Sequence, residues 1–165
     1  MKLLVIRHGI AMDRDEFAES GEPDNLRPLT KEGKRELKDV AKWLGKKVKE
    51  IDILATSPLT RARETAEIIG EVFEIEQPEI TNSLDPDSSL EDFQQWCALY
   101  AEKNVVAVVG HEPHLSSLVT WLISGKRDPR IELKKGGVAM IDFEGGAQHD
   151  SGTLHWLLTP RQMIK

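Results

Sequence analysis

Short apolar runs, several rich in β-branched residues, alternate along the chain with longer stretches whose apolar positions recur every three or four residues. The first pattern predicts strands, the second predicts amphipathic helices, and their alternation predicts an α/β layered domain. Residues 3–6 and 53–55 read as strands that end abruptly in polar residues. Residues 105–109 (V-V-A-V-V) form a continuous run of the kind buried on both faces of a mostly parallel sheet. Residues 138–143 and 153–158, separated by E-G-G-A-Q-H-D-S-G, predict an antiparallel hairpin, and residues 80–84 a further short strand.

The helical stretches lie between these runs. Thr30 is placed to cap a helix carrying Leu37, Val40, Ala41 and Leu44 on one stripe, with Gly45 suited to its end. Residues 60–73 carry Ala62, Ala66, Ile69 and Phe73 on helical spacing, and residues 90–102 carry Phe93, Trp96, Cys97 and Tyr100. A last long helix is predicted over 112–124, opened by Pro113 and stopped by Gly125. Residues 12–28 and 85–89 are polar and rich in turn formers, and read as surface loops.

Composition narrows the function classes. A chain of 165 residues without repeats or linkers is expected to form one domain over residues 1–165. No apolar run approaches the ~18 residues of a membrane span, and the first run is broken by Arg7 and His8, short of a signal-peptide core. A cytoplasmic protein that does not engage membranes is therefore expected. Its net charge of −6 gives no electrostatic reason to bind nucleic acid. Cys97, the single cysteine, excludes an internal disulfide and reads as a buried helix residue.

Three segments share one shape, an apolar strand running into a basic or polar cluster: V-I-R-H-G, I-L-A-T-S-P-L-T-R-A-R-E-T and V-V-G-H-E-P. Ligands of open α/β sheets sit outside the carboxyl ends of the strands, so these clusters converge on one crevice. It would hold Arg7, His8, Arg61 and His111, with Gly9 allowing close backbone approach. Guanidinium forks match the oxygens of a phosphoryl group, and the amino end of the helix bearing Arg61 would add amide donors. With no Gly-rich nucleotide loop and no cysteine-nucleophile signature, a histidine is the candidate for covalent phosphoryl capture.

Together these segments resemble the histidine phosphatase (phosphoglycerate-mutase-like) superfamily: Arg7-His8-Gly9 after the first strand, Ser57 to Thr65 as the second signature, and Gly110 to Pro113 as the third. The short chain and R-P-L-T-K-E-G (Arg27 to Gly33) look most like its SixA-type phosphohistidine phosphatases. The resemblance implies a three-layer α/β/α fold with a mostly parallel mixed central sheet. It also implies a metal-independent enzyme without cofactors. His8 would be the nucleophile, Arg7 and Arg61 would bind phosphoryl oxygens, and His111 would stabilise the transferring group. Arg27, Gly9 and Glu112 join them as substrate-binding candidates.

Larger members place a general acid in an insertion or after the second histidine. Here Glu112, Asp85 and Asp87 are the candidates, and the spacing selects none of them. A P–N bond to imidazole demands less of a positioned acid than a P–O bond, which points to phosphohistidine on a partner protein, such as a histidine phosphotransfer domain in signalling. The alternatives are a small-molecule phosphomonoesterase of the same superfamily and a non-catalytic phosphoprotein-binding module. Arg63 reads as a surface partner of Glu67, and His114 as an exposed or capping residue. His149 and His155 read as structural or exposed, and no feature of the sequence selects an oligomeric state.

Overall fold

The computed structural model describes residues 1–164. Its centre is a six-stranded sheet of order β3-β2-β4-β1-β5-β6, built from β1 (Lys2–Arg7), β2 (Ile53–Thr56), β3 (Glu79–Ile80), β4 (Val105–Gly110), β5 (Val138–Asp142) and β6 (Thr153–Leu158). β1, β4, β2 and β3 run parallel, and β5 and β6 complete the sheet as antiparallel neighbours. The expected mixed, mostly parallel sheet and terminal hairpin are both present.

Alternation along the central strands divides the core into two layers. Leu3 and Val5 of β1, with Val106 and Val108 of β4, face α4 (Leu90–Ala98) and α5 (His114–Ser124). Leu4 and Ile6, with Ala107 and Val109, face α2 (Lys31–Lys47), α3 (Thr60–Phe73) and the short α6 (Pro160–Met163). Helices thus cover both faces, which is why the V-V-A-V-V run is apolar throughout. Among the described residues, no helix is long and apolar enough to cross a membrane.

Several expectations are corrected. Gly45 does not end α2, which runs on to Lys47; a Cβ there would lie 2.9 Å from Val72 Cγ1, so the glycine lets α2 approach α3. α4 stops at Ala98 instead of Glu102, and the chain continues in tighter turns closed by Tyr100 N on Cys97 O and Lys103 N on Tyr100 O. The strand expected over 80–84 is the two-residue β3 followed by a 3-10 turn, Asn82–Leu84. The polar stretch 12–28 contains α1 (Arg14–Ala18), capped by Asp13, and a 3-10 turn, Asp24–Leu26.

α2 is tied to the loop after β1 at Gly33. Its amide donates to the Thr30 hydroxyl cap at 2.9 Å, and a Cβ would lie 2.2 Å from the backbone oxygen of Ile10. Gly33→Ala gains about 1 kcal/mol of helix propensity, but the backbone must move to admit the methyl group, an overpacking cost of ~1–3 kcal/mol. The variant is expected to unfold at lower urea concentration with an unchanged slope, which equilibrium denaturation checks.

Candidate active site

β1 and β4 lie side by side with Arg7 opposite Gly110, so the residues that leave these strands, His8 and His111, emerge next to each other. The His8 amide donates to Gly110 O at 3.1 Å, and the two imidazole centroids are 5.1 Å apart. β2 ends beside β4 and brings Ser57, whose amide donates to Val109 O at 3.0 Å. Ser57 Oγ accepts from the Leu59 amide and lies 2.7 Å from His111 Nε2. With the Ser57 hydroxyl donating to Nε2, the His111 proton would sit on Nδ1, among the pocket's unpaired buried donors. α3 begins three residues after Ser57 and sets Arg61 in its first turn.

Four arginines line the pocket, and all but the exposed Arg14 are held by a backbone carbonyl. Arg7 Nη1 donates to Leu133 O at 2.8 Å, Arg27 Nη1 to Met12 O at 2.8 Å, and Arg61 Nη1 to Asp24 O at 3.2 Å. Arg27 and Arg61 are buried to 8 % and 5 % residual exposure, which is rare for arginine. With His8, His111 and Glu112 they line a cavity of about 530 Å³. Arg7 Nε, Arg61 Nε and His111 Nδ1 are buried without a hydrogen-bond partner. A surplus of buried donors around a cationic cavity suits a ligand with several acceptor oxygens, that is, an oxyanion.

Burial also fixes the protonation of the histidines. Desolvation foremost, with the charges of Arg61, Arg7 and Arg27 acting in the same direction, holds the His8 imidazole down at about 3, against an opposing hydrogen bond to Gly9. Desolvation, then the neighbouring His8 and Arg61, takes His111 to about 2. His8 Nδ1 is 2.8 Å from Gly9 O. A carbonyl only accepts, so Nδ1 carries the proton and Nε2 keeps the lone pair. The pocket can therefore present an uncharged nitrogen nucleophile among permanent cations.

The remaining candidates are distributed as follows. Gly9 lies outside the pocket lining: its amide donates to Thr65 Oγ1, its carbonyl receives His8, and a Cβ would lie 2.5 Å from Leu37 Cδ1. Its lack of a side chain thus serves packing on α2. Glu112 lines the pocket, yet both its carboxylate oxygens are taken by the amide and hydroxyl of Ser116. Asp85 and Asp87 do not line it, although Pro86 between them does. His114 is buried, not exposed, with Nε2 3.3 Å from Ser88 Oγ, and burial lowers its pKa despite the opposing charge of Asp85. Cys97 is buried as expected, its thiol pushed up to about 12 by desolvation.

The amides of Ala62 and Arg63 both bond Leu59 O, so α3 serves the pocket through the Arg61 side chain. Four contributors were not read as site residues. Ser57 orients His111; Thr65 Oγ1 accepts from Gly9 N and donates to Arg61 O at 2.7 Å, joining two signatures; Lys135 lies on the rim; and Asp24 meets two of the arginines. Ser57 and Thr65 stand inside the second motif, which was the available signal. Among the described residues, no group of three His, Cys, Asp or Glu side chains is placed to hold a metal ion.

Comparison with known proteins agrees with this geometry. A family model described as the histidine phosphatase superfamily (branch 1) matches residues 3–85. An uncharacterized protein of Picosynechococcus sp. is 34% identical over 99% of this chain and 99% of its own length. The phosphohistidine phosphatase SixA of Escherichia coli is 29% identical over 97% of this chain and 94% of its own. A solved protein histidine phosphatase SixA complexed with tungstate superposes with a TM-score of 0.80 at 27% identity, covering 98% of both chains. Both full-length relatives extend past the span matched by the family model, to the segment that holds His111.

The depressed histidines, His8 and His111 foremost, make stability depend on pH in a set direction. The unfolded chain protonates them near 6.5, whereas the folded chain does so only near 3 and 2. Well above pH 6.5 neither state binds these protons; as pH falls through 6.5 the unfolded state binds more, and the fold loses stability. Thermal unfolding is expected to shift to lower temperature from pH 7 towards pH 4. His8→Gln and His111→Gln should each flatten that dependence, and slopes equal to wild type would contradict the assignment.

Proposed function

Because the chain belongs to the histidine phosphatase superfamily, branch 1, we propose that it is a phosphatase that removes the phosphoryl group from phosphohistidine on a partner protein, such as a histidine phosphotransfer domain. His8 Nε2 attacks phosphorus in line with the departing imidazole: a P–N bond to His8 forms as the P–N bond to the substrate breaks. The substrate nitrogen takes a proton from solvent water and is released as a neutral imidazole, and water then attacks phospho-His8, breaking its P–N bond to give inorganic phosphate and restore the enzyme. Arg7 and Arg61, with Arg27 beside them, stabilise the charge on the equatorial oxygens, and His111 donates from Nδ1. These guanidinium groups supply the positive charge, so the scheme needs no metal ion.

The observation that carries the substrate class is the state of Glu112. It is the acid following the second histidine, and both of its oxygens are occupied by Ser116. A pocket in which that carboxyl group is otherwise engaged suits a leaving group that needs little acid assistance, as imidazole does. The names of the SixA relatives, and the tungstate bound by one of them, agree with a tetrahedral oxyanion held in this pocket and with phosphohistidine as its source.

Phosphate release from a phosphorylated phosphotransfer domain, measured beside a panel of small phosphate esters, tests the reading. Wild type is expected to prefer the phosphoprotein with a chelator present or absent, and His8→Ala to lose at least about 1000-fold in rate. Equal or higher efficiency on a small ester would transfer the enzyme to the phosphomonoesterase class. Phosphoprotein binding without turnover would make it a binding module.

A further inference from the structure

Asp24 is the carboxylate that joins two of the pocket arginines. Its Oδ1 accepts from Arg27 Nε at 2.9 Å, and its Oδ2 lies 3.4 Å from Arg61 Nη1. Its backbone oxygen accepts from Arg61 Nη1 at 3.2 Å and from the Arg27 amide at 3.0 Å. Asp24 opens the 3-10 turn Asp24–Leu26, and such a turn stacks side chains i and i+3, which here are Asp24 and Arg27. The exposed Arg14 approaches the same carboxylate at 3.8 Å.

Two buried guanidinium groups in one pocket repel each other, and each has lost most of its hydration. Burial foremost, and then the charge of Arg27, lowers the pKa of Arg61, while Asp24 acts in the opposite sense. Arg27 contacts protein through Nε and Nη1, and Arg61 through Nη1 alone; neither Nη2 has a hydrogen-bond partner among the described residues. We propose that Asp24 is a positioning residue for the phosphate pocket: its carboxylate bridges Arg27 to Arg61 and fixes both forks with their Nη2 edges free for phosphoryl oxygens. Asp24 acts through the arginines and does not itself touch the substrate. The inference rests on the reading of this pocket as a phosphate site.

Calorimetric titration with inorganic phosphate, together with steady-state kinetics on a phosphorylated phosphotransfer domain, tests it. Asp24→Asn keeps the shape and removes the charge. It is expected to weaken phosphate binding about tenfold and raise KM by a similar factor, with kcat changed less than about threefold. Asp24→Glu, which retains the carboxylate, should recover part of the loss, whereas a merely structural role would not divide KM from kcat. Should Asp24→Asn fail to fold, Asp24→Ser is read in the same way. Unchanged binding would overturn the proposal, and tighter binding would overturn it by making Asp24 a competitor of phosphate. Wild type that binds no phosphate would instead overturn the phosphate reading of the pocket, so the two failures are distinguishable.

Discussion

Keeping two imidazoles uncharged beside guanidinium groups is the constraint on which the pocket depends. His8 and His111 are buried at the ends of adjacent central strands, where a protonated ring would lose its hydration and face Arg61 and Arg7. Arginine does not shed its proton under such pressure, but histidine does. The outcome is a division of labour set by intrinsic proton affinity: the arginines remain permanent cations, and His8 retains a nitrogen lone pair. These are the two features that the proposed phosphatase chemistry requires of the cavity: positive charge for a phosphoryl group and a nitrogen to take it up.

The sheet makes this arrangement possible with few residues. Parallel pairing of β1 with β4 brings R-H-G beside G-H-E-P, and β2 on the other side of β4 brings Ser57 and the start of α3. Thr65 then ties Gly9 to the Arg61 backbone, so a single hydroxyl couples the loop that bears His8 to the helix that bears Arg61. Gly9 and Gly33 are both needed because α2 comes in against this loop at Leu37 and Ile10, leaving no room for a side chain. Packing on α2 and geometry in the pocket are therefore one problem.

Much of this was legible in the sequence wherever a residue reports on its own element. Strand β4 was legible from its β-branched run, α3 from the spacing of Ala62, Ala66, Ile69 and Phe73, and the cap of α2 from Thr30. What was not legible depends on a partner distant in the chain. Gly45 looks like a helix stop until Val72 of α3 is seen against it. His114 lies three residues from His111 on a helix, but its burial comes from packing near Ser88, in a loop that sequence spacing does not relate to it. Asp24 sits in a polar stretch that reads as a surface loop; only the turn that stacks it on Arg27 and the arrival of Arg61 give it a role.

Nucleophilic attack by His8 requires a neutral ring with its proton on Nδ1 and its lone pair on Nε2. Nitrogen NMR of protein labelled with 15N-histidine, followed from pH 8 to pH 5, reads both features at the atoms concerned. An Nδ1–H tautomer of His8 that persists without titration across this range is expected. A His8 ring that protonates near 6.5, or one that carries its proton on Nε2, would contradict it.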